Sequence, residues 1–343
     1  MKMHIHRTGP FRLIATTVAL VIVALALPML SSAKSEKSDG VRAYLKQGTL
    51  RVQGHNGGQQ VALRLSPDHS QIQVDAGDNN SADFSFERGD VRAIEVKMGN
   101  GSDSARIDDA NGAFTDTIPT TLSGGNGNDS LEGGQTVAVA ENETFYGGNG
   151  NDSVDGGKGN DTAYLGNGND TFRWDNGEGS DTIEGQNGTD TMVFNGAPVA
   201  ENVTLSANGG RLTFFRVQGN VTMDTNDVEI VDDNLVGGTD SVTVNDLTGS
   251  DVKQTNLDLA STFGGNAPDG AVDTVVVNGT TGNDNINIAG NGSGADVTGL
   301  ASAVSVKHAD PTDSLSVDTR AGTDHVTTTG VLELQVLVDG VAV

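Results

Sequence analysis

Between Gly147 and Tyr164 the chain repeats itself without a gap, as GGNGNDSVD followed by GGKGNDTAY, and no other feature constrains its fold as much. A fixed short period means that each unit is one small structural element, which buries its apolar side only by stacking on its neighbours. The period continues as GGNGNDSLE at 124–132, LGNGNDTFR at 165–173, NGEGSDTIE at 176–184 and GQNGTDTMV at 185–193. Its aspartates are Asp129, Asp152, Asp161, Asp170, Asp181 and Asp190, in steps of 23, 9, 9, 11 and 9. Glu143, nine residues before Asp152, fills the acidic slot of a decayed unit (ENETFY), so the long first step contains a unit with a five-residue insertion. Asp103, in GNGSDSARI, is an outlying, degenerate member.

Each unit has a direct physical reading. Glycines at positions 1, 2 and 4 permit positive φ, so the backbone curls with carbonyl oxygens facing inward, and the aspartate at position 6 adds a carboxylate to that nest. Gly125, Gly127, Gly148, Gly150, Gly157, Gly159, Gly166 and Gly168 are expected to supply the turn geometry or the carbonyls. Positions 7 to 9 are β-prone, and the central one is apolar throughout: Leu131, Val154, Ala163, Phe172, Ile183 and Met192. A strand that short sends its centre to one face and its flanks to the other, so the centre fills a core. Two units make an 18-residue coil. Stacked coils set Asp152 over Asp170 on one edge and Asp161 near Asp181 on the other, two residues out of step.

Charge then selects the cofactor. The chain has 20 basic and 46 acidic residues, a net charge of −26, which makes nucleic acid and anionic membrane surfaces poor partners. Two unit charges ~5 Å apart at an effective dielectric of about 20 repel by roughly 3 kcal/mol, more than a short strand offsets. A divalent ion between coils reverses that sign. Carboxylate and carbonyl oxygens in sixes to eights suit Ca²⁺, whereas Mg²⁺ demands a tighter octahedron. Absent cysteine, and histidine missing from the repeats, disfavour softer metals and exclude a disulfide framework. Only 14 aromatics beside 35% hydrophobic residues fit a thin, repetitive β core.

On these residues the run 124–193 resembles the RTX, or hemolysin-type, calcium-binding nonapeptide repeat, G-G-x-G-x-D-x-U-x, a pattern already tied to calcium-binding β-helices. The resemblance implies an all-β fold, a right-handed parallel β-roll or β-solenoid, with several Ca²⁺ ions between turns. It carries over Asp129, Asp152, Asp161, Asp170, Asp181 and Asp190 as carboxylate ligands. Glu143, Gln186 and the two-residue insertion before Asp181 depart from the pattern.

Around the roll, the sequence divides into 1–33, 34–123, 124–193 and 194–343. Met1–Arg12 is basic, Leu13–Leu27 is apolar, Pro28 breaks the run, and Ser31-Ser32-Ala33 offers small residues for cleavage, together the form of a secretory signal peptide. Export and a soluble mature chain without stable membrane insertion follow as expectations. SEKSDG at 35–40 reads as a short tail. The stretch 41–98 reads as strands (TLRV, VALRL, QIQV, DFSF, VRAIEV), flanking coils of the solenoid kind. Toward the C-terminus, DTVVVNGTTGNDNINI from Asp273 aligns with DSLSVDTRAGTDHVTT from Asp313, an offset of 40, and EIVDDNLVGGTDSVTV from Glu229 aligns at 44. Their acids Asp240, Asp284 and Asp324 lack the full glycine set, which favours turn capping over metal binding.

Catalytic signatures are missing: no H-E-x-x-H, no G-x-S-x-G, and Lys158 is followed by Gly159 rather than Ser or Thr. The sequence therefore reads as an exported calcium-binding repeat protein without enzymatic activity, whose partners besides calcium are a cell-surface component or a polysaccharide. The alternatives are a polysaccharide-active protein (lyase, epimerase or hydrolase) or an adhesin using the solenoid face. Trp174 is the one candidate for stacking on a sugar ring, against an ordinary packing role.

Overall fold

In a computed structural model, residues 36–38, 40–136 and 142–343 are described. The apolar N-terminal run and its cleavage site lie outside them. Among the described residues helix is limited to three single 3₁₀ turns, and the rest is strand and turn.

Strands of the repeat segment alternate between two walls. Ala93–Asn100, Thr120–Asn126, Glu143–Asn149, Thr162–Gly168 and Thr182–Gly188 form the first. Ser104–Asp108, Ser130–Glu132, Ser153–Asp155, Thr171–Trp174 and Thr191–Asn195 form the second. Neighbours within each wall pair in parallel, so Gly99, Gly125, Gly148, Gly166 and Gln186 stand in one row. The chain runs from wall to wall and returns one strand further along, which is a β-roll with open sheets rather than a barrel. These walls belong to sheets of 16 and 14 strands.

The core lies between the walls. Leu122, Phe145, Ala163 and Ile183 face in from the first, and Leu131, Val154, Phe172 and Met192 from the second, in register and at most 1% exposed. Stacking one apolar residue per strand in this way is what makes a narrow core continuous. Trp174 extends it: the ring is fully buried and lies on Phe194 with centroids 4.0 Å apart. That position removes the sugar-stacking role considered for it.

Antiparallel pieces are spliced into the coils. Gln60–Leu65, Gln71–Ala76 and Phe84–Glu87 form a meander in the second sheet, and Asn202–Asn208, Arg211–Arg216 and Val221–Asn226 form another in the first. Glu36–Ser38 pairs with Val41–Ala43, where the sequence reads a tail. The offset of 40 is a true coil spacing, since Thr274 pairs with Ser314 and Asn285 with His325. The copy starting at Glu229 is not in that register. Ile230–Asn234 pairs with Gln254–Asp258 in the second sheet, and Ser241–Val244 pairs with Thr274–Val277 in the first. A strand, acidic turn, strand pattern occurs at both edges of a coil, so an alignment slips by one wall without disturbing it.

Candidate metal centre

Turns from the first wall to the second carry one column of acids. The Gln59 backbone N–H donates to Asp103 Oδ1 at 2.6 Å, and each later aspartate repeats the bond one coil on. Asp103 N donates to Asp129 Oδ1 at 2.8 Å, Asp129 N to Asp152 Oδ1 at 2.8 Å, Asp152 N to Asp170 Oδ1 at 2.7 Å, and Asp170 N to Asp190 Oδ1 at 2.9 Å. Glu229 closes the column by accepting from Asp190 N at 2.8 Å. On the opposite edge, Glu143 N donates to Asp161 Oδ1 at 2.7 Å and Asp161 N to Asp181 Oδ1 at 2.8 Å. Asp181 is fully in step with Asp161, because Thr162 pairs with Thr182; the two-residue insertion is absorbed in the turn 175–181. That corrects the stagger expected from spacing.

Each of the seven aspartates uses one oxygen in the ladder and leaves the other without a partner. Oδ2 of Asp103, Asp129, Asp152, Asp161, Asp170, Asp181 and Asp190, and both oxygens of Glu143, are buried with no hydrogen bond. Burial of an unsatisfied carboxylate oxygen is costly, so such a repeated orphan calls for a cation or a proton. The acids respond accordingly. Burial, with neighbouring column carboxylates adding to it, pushes Asp152 and Asp190 up to about 7. Burial raises Asp103, Asp129 and Asp170 as well. Asp161 is raised strongly, by burial first and then by Asp181 and Glu143.

Glycines make the nest. A Cβ on Gly147 would lie 2.6 Å from Asp152 Oδ2, and one on Gly124 would lie 2.3 Å from Asp129 Oδ2, so in these two units position 1 is bare where the orphan oxygen sits, while Leu165 occupies it in the Asp170 unit. Gly150 has φ +126° and a Cβ there would meet Gly127 O at 1.9 Å. All eight glycines expected to shape the turns have positive φ. Buried, unpartnered carboxylate oxygens stacked beside close-packed carbonyls are a hard-oxygen donor set and fit Ca²⁺. Asp129, Asp152, Asp170 and Asp190 would hold it on one edge, and Asp161 and Asp181 on the other, with Asp103 and Glu143 at the margins.

The family described as RTX calcium-binding nonapeptide repeat (4 copies) matches residues 120–135, 138–172 and 177–196. These are RTX calcium-binding repeats. With its RTX run, the chain is a calcium-binding repeat protein. Neither a curated protein nor a solved structure shows significant similarity to it.

Beyond the RTX segment the ladder continues with other residues. Glu201 N donates to Asp240 Oδ1 at 2.8 Å, Asp240 N to Asp273 Oδ1 at 2.7 Å, and Asp273 N to Asp313 Oδ1 at 2.9 Å. Asp240 therefore stands with Asp273 rather than with Asp284, which pairs instead with Asp324 at 2.9 Å. Sequence reasoning also missed an exposed amide ladder at position 3: Asn187, Asn167, Asn149, Asn126, Asn100 and Asn56 are joined by Nδ2 to Oδ1 bonds. Asparagine recurring at that position was the available signal. A further acidic group, Asp155, Asp175 and Glu178, gathers at the insertion with ligand oxygens within 4.8 Å of one another. Arg173 pairs with Asp155 and Asp175 there.

Proposed function

We propose that the protein is an exported structural module whose RTX coils fold around Ca²⁺ outside the cytoplasm, with no catalytic role of its own. The observation that carries this reading is the pair of aspartate columns, each coil leaving one buried carboxylate oxygen unsatisfied. Without a cation, those carboxylates repel one another and resist burial; in calcium-rich surroundings binding free energy becomes folding free energy. Export is supported by the basic, apolar and small-residue order of 1–33. Among the described residues no helix is long and apolar enough to cross a membrane. The acidic chain then faces a cell-surface or polysaccharide partner. A carbohydrate-processing role has less support, because Trp174 is buried.

The test is calorimetric Ca²⁺ titration with far-ultraviolet circular dichroism, starting from chelated protein, alongside Asp152→Ala/Asp170→Ala. Calcium should induce β signal, and the double variant should bind fewer ions. Identical spectra in calcium and chelator, with no binding heat, would sink the reading. Export is checked by fractionating cells that express the intact chain.

A further inference from the structure

Outside the nonapeptides, orphaned carboxylate oxygens concentrate where the antiparallel insertion 202–226 rejoins the coils. Glu201 ends the turn after Thr191–Asn195, and Asp240 ends the equivalent turn one coil on. Asp233 comes from the second wall, at a core-facing position whose row neighbours are Phe194 and Leu257. All three acids are at most 2% exposed. Glu201 Oε2, both oxygens of Asp233 and Asp240 Oδ2 have no hydrogen-bond partner. Gly196 leaves room for Glu201 Oε2, since a Cβ there would lie 2.1 Å from it, repeating the relation of Gly124 to Asp129.

Among the described residues Arg216 is the cation paired with any of these acids, through Glu201 Oε1. Its other donors go to Gln218 O and Asn176 Oδ1, and its guanidinium lies over the Trp174 ring. One guanidinium against three carboxylates leaves an excess of buried acid, which calls for a cation or for protons. An apolar residue at 233 would complete the row of Phe194 and Leu257, yet the chain places an acid there.

We propose that Glu201, Asp233 and Asp240 form a divalent-cation site for a hard, oxygen-preferring ion of the Ca²⁺ type. The site lies beyond the RTX match, which ends at residue 196, and it takes a ligand from the core face of a strand rather than from a repeat turn. It fastens the spliced meander to the coils on either side. Its support is its own orphaned oxygens, independent of calcium binding by the roll.

The experiment is Ca²⁺ titration by calorimetry of the whole protein, of Glu201→Gln/Asp233→Asn, and of Asp152→Ala/Asp170→Ala. The first double variant should bind roughly one cation fewer per chain, the number one such oxygen cage serves. The same number of ions bound by that variant in folded form overturns the proposal and leaves the roll untouched. A loss there without any loss in Asp152→Ala/Asp170→Ala would uphold this site and defeat the reading of the roll. Asp233→Leu guards against misfolding, because leucine suits the apolar row. It should melt higher than wild type in chelator and show a smaller calcium-induced rise. An undiminished calcium-induced rise would overturn the site.

Discussion

The RTX coils and the coil closed by Asp284 use the same acid ladder to different ends. Asp152 N donates to Asp170 Oδ1 at 2.7 Å, and Asp284 N donates to Asp324 Oδ1 at 2.9 Å. Both aspartates follow a G-x-x-G-x-D pattern, Gly147 to Asp152 and Gly279 to Asp284. In the RTX coil the first-wall strand Glu143–Asn149 runs on through the glycine pair, so those backbone groups belong to the sheet. In the other, strand Thr274–Asn278 stops before Gly279, and Thr280 gives its N–H to Asp284 Oδ2 and its hydroxyl to Oδ1, each at 2.8 Å. The first arrangement leaves an oxygen for a cation. The second is a capped turn, an aspartate satisfied by its own loop. Whether such an acid keeps an oxygen free is therefore decided by where the strand ends, more than by the motif.

Chelation should divide the two regions most. At pH 7.5, amides of Ser153–Asp155 and Thr171–Trp174 are expected to lose exchange protection by over about tenfold more than those of Ser314–Asp318, roughly 1.4 kcal/mol of local stability. Equal losses would erase the distinction. Glycine substitution comes next. Gly150→Ala meets both positive φ and a backbone oxygen, and should cost at least ~2 kcal/mol in calcium. Gly264→Ala, at φ +65° with open space around it, should cost about 1 kcal/mol, read from denaturant midpoints.

Acidity gives a third contrast. Asp152 and Asp190 titrate near 7 in the fold against 3.8 for an unperturbed aspartate, so the cation-free folded state holds more protons than the unfolded chain between those values. Their contribution to cation-free stability is present below about 3.8 and is lost as pH rises through about 7. Chelated protein should show more β signal at pH 4.5 than at 7.5, and the reverse order would refute the protonation account. A comparably small effect is expected at Thr280→Val, which removes the hydroxyl that donates to Asp284 and accepts from the Gly282 N–H and should cost about 1 kcal/mol without changing the number of calcium ions bound.

The roll was legible because its signal is local. Position 8 of each nonapeptide, from Leu131 to Met192, goes to the core, and the aspartates fall into two columns as the period requires. Three things were not legible. Asp181 returned to register because a turn, unlike a strand, absorbs two residues without flipping faces. Glu229 was aligned with Asp273 and Asp313, although it terminates the other edge by accepting from Asp190 N, since the local pattern does not mark which wall a strand joins. Asp233 and Glu201 were passed over because their significance lies in what fails to bond to them, a property of packing rather than of spacing.

The ladder bonds also have a direction. Every coil's aspartate N–H is donated forward, to a carboxylate supplied by a later stretch of chain, from Gln59 through to Glu229. Glu229 ends the series, since its own N–H turns back to the Asp190 carbonyl. A coil that emerges first thus waits, donor open, for its successor, and the column is sealed only by its last member. Assembly on such a one-dimensional lattice is polar, and a stretch ending after Asp190 would expose an open donor where Glu229 closes the column.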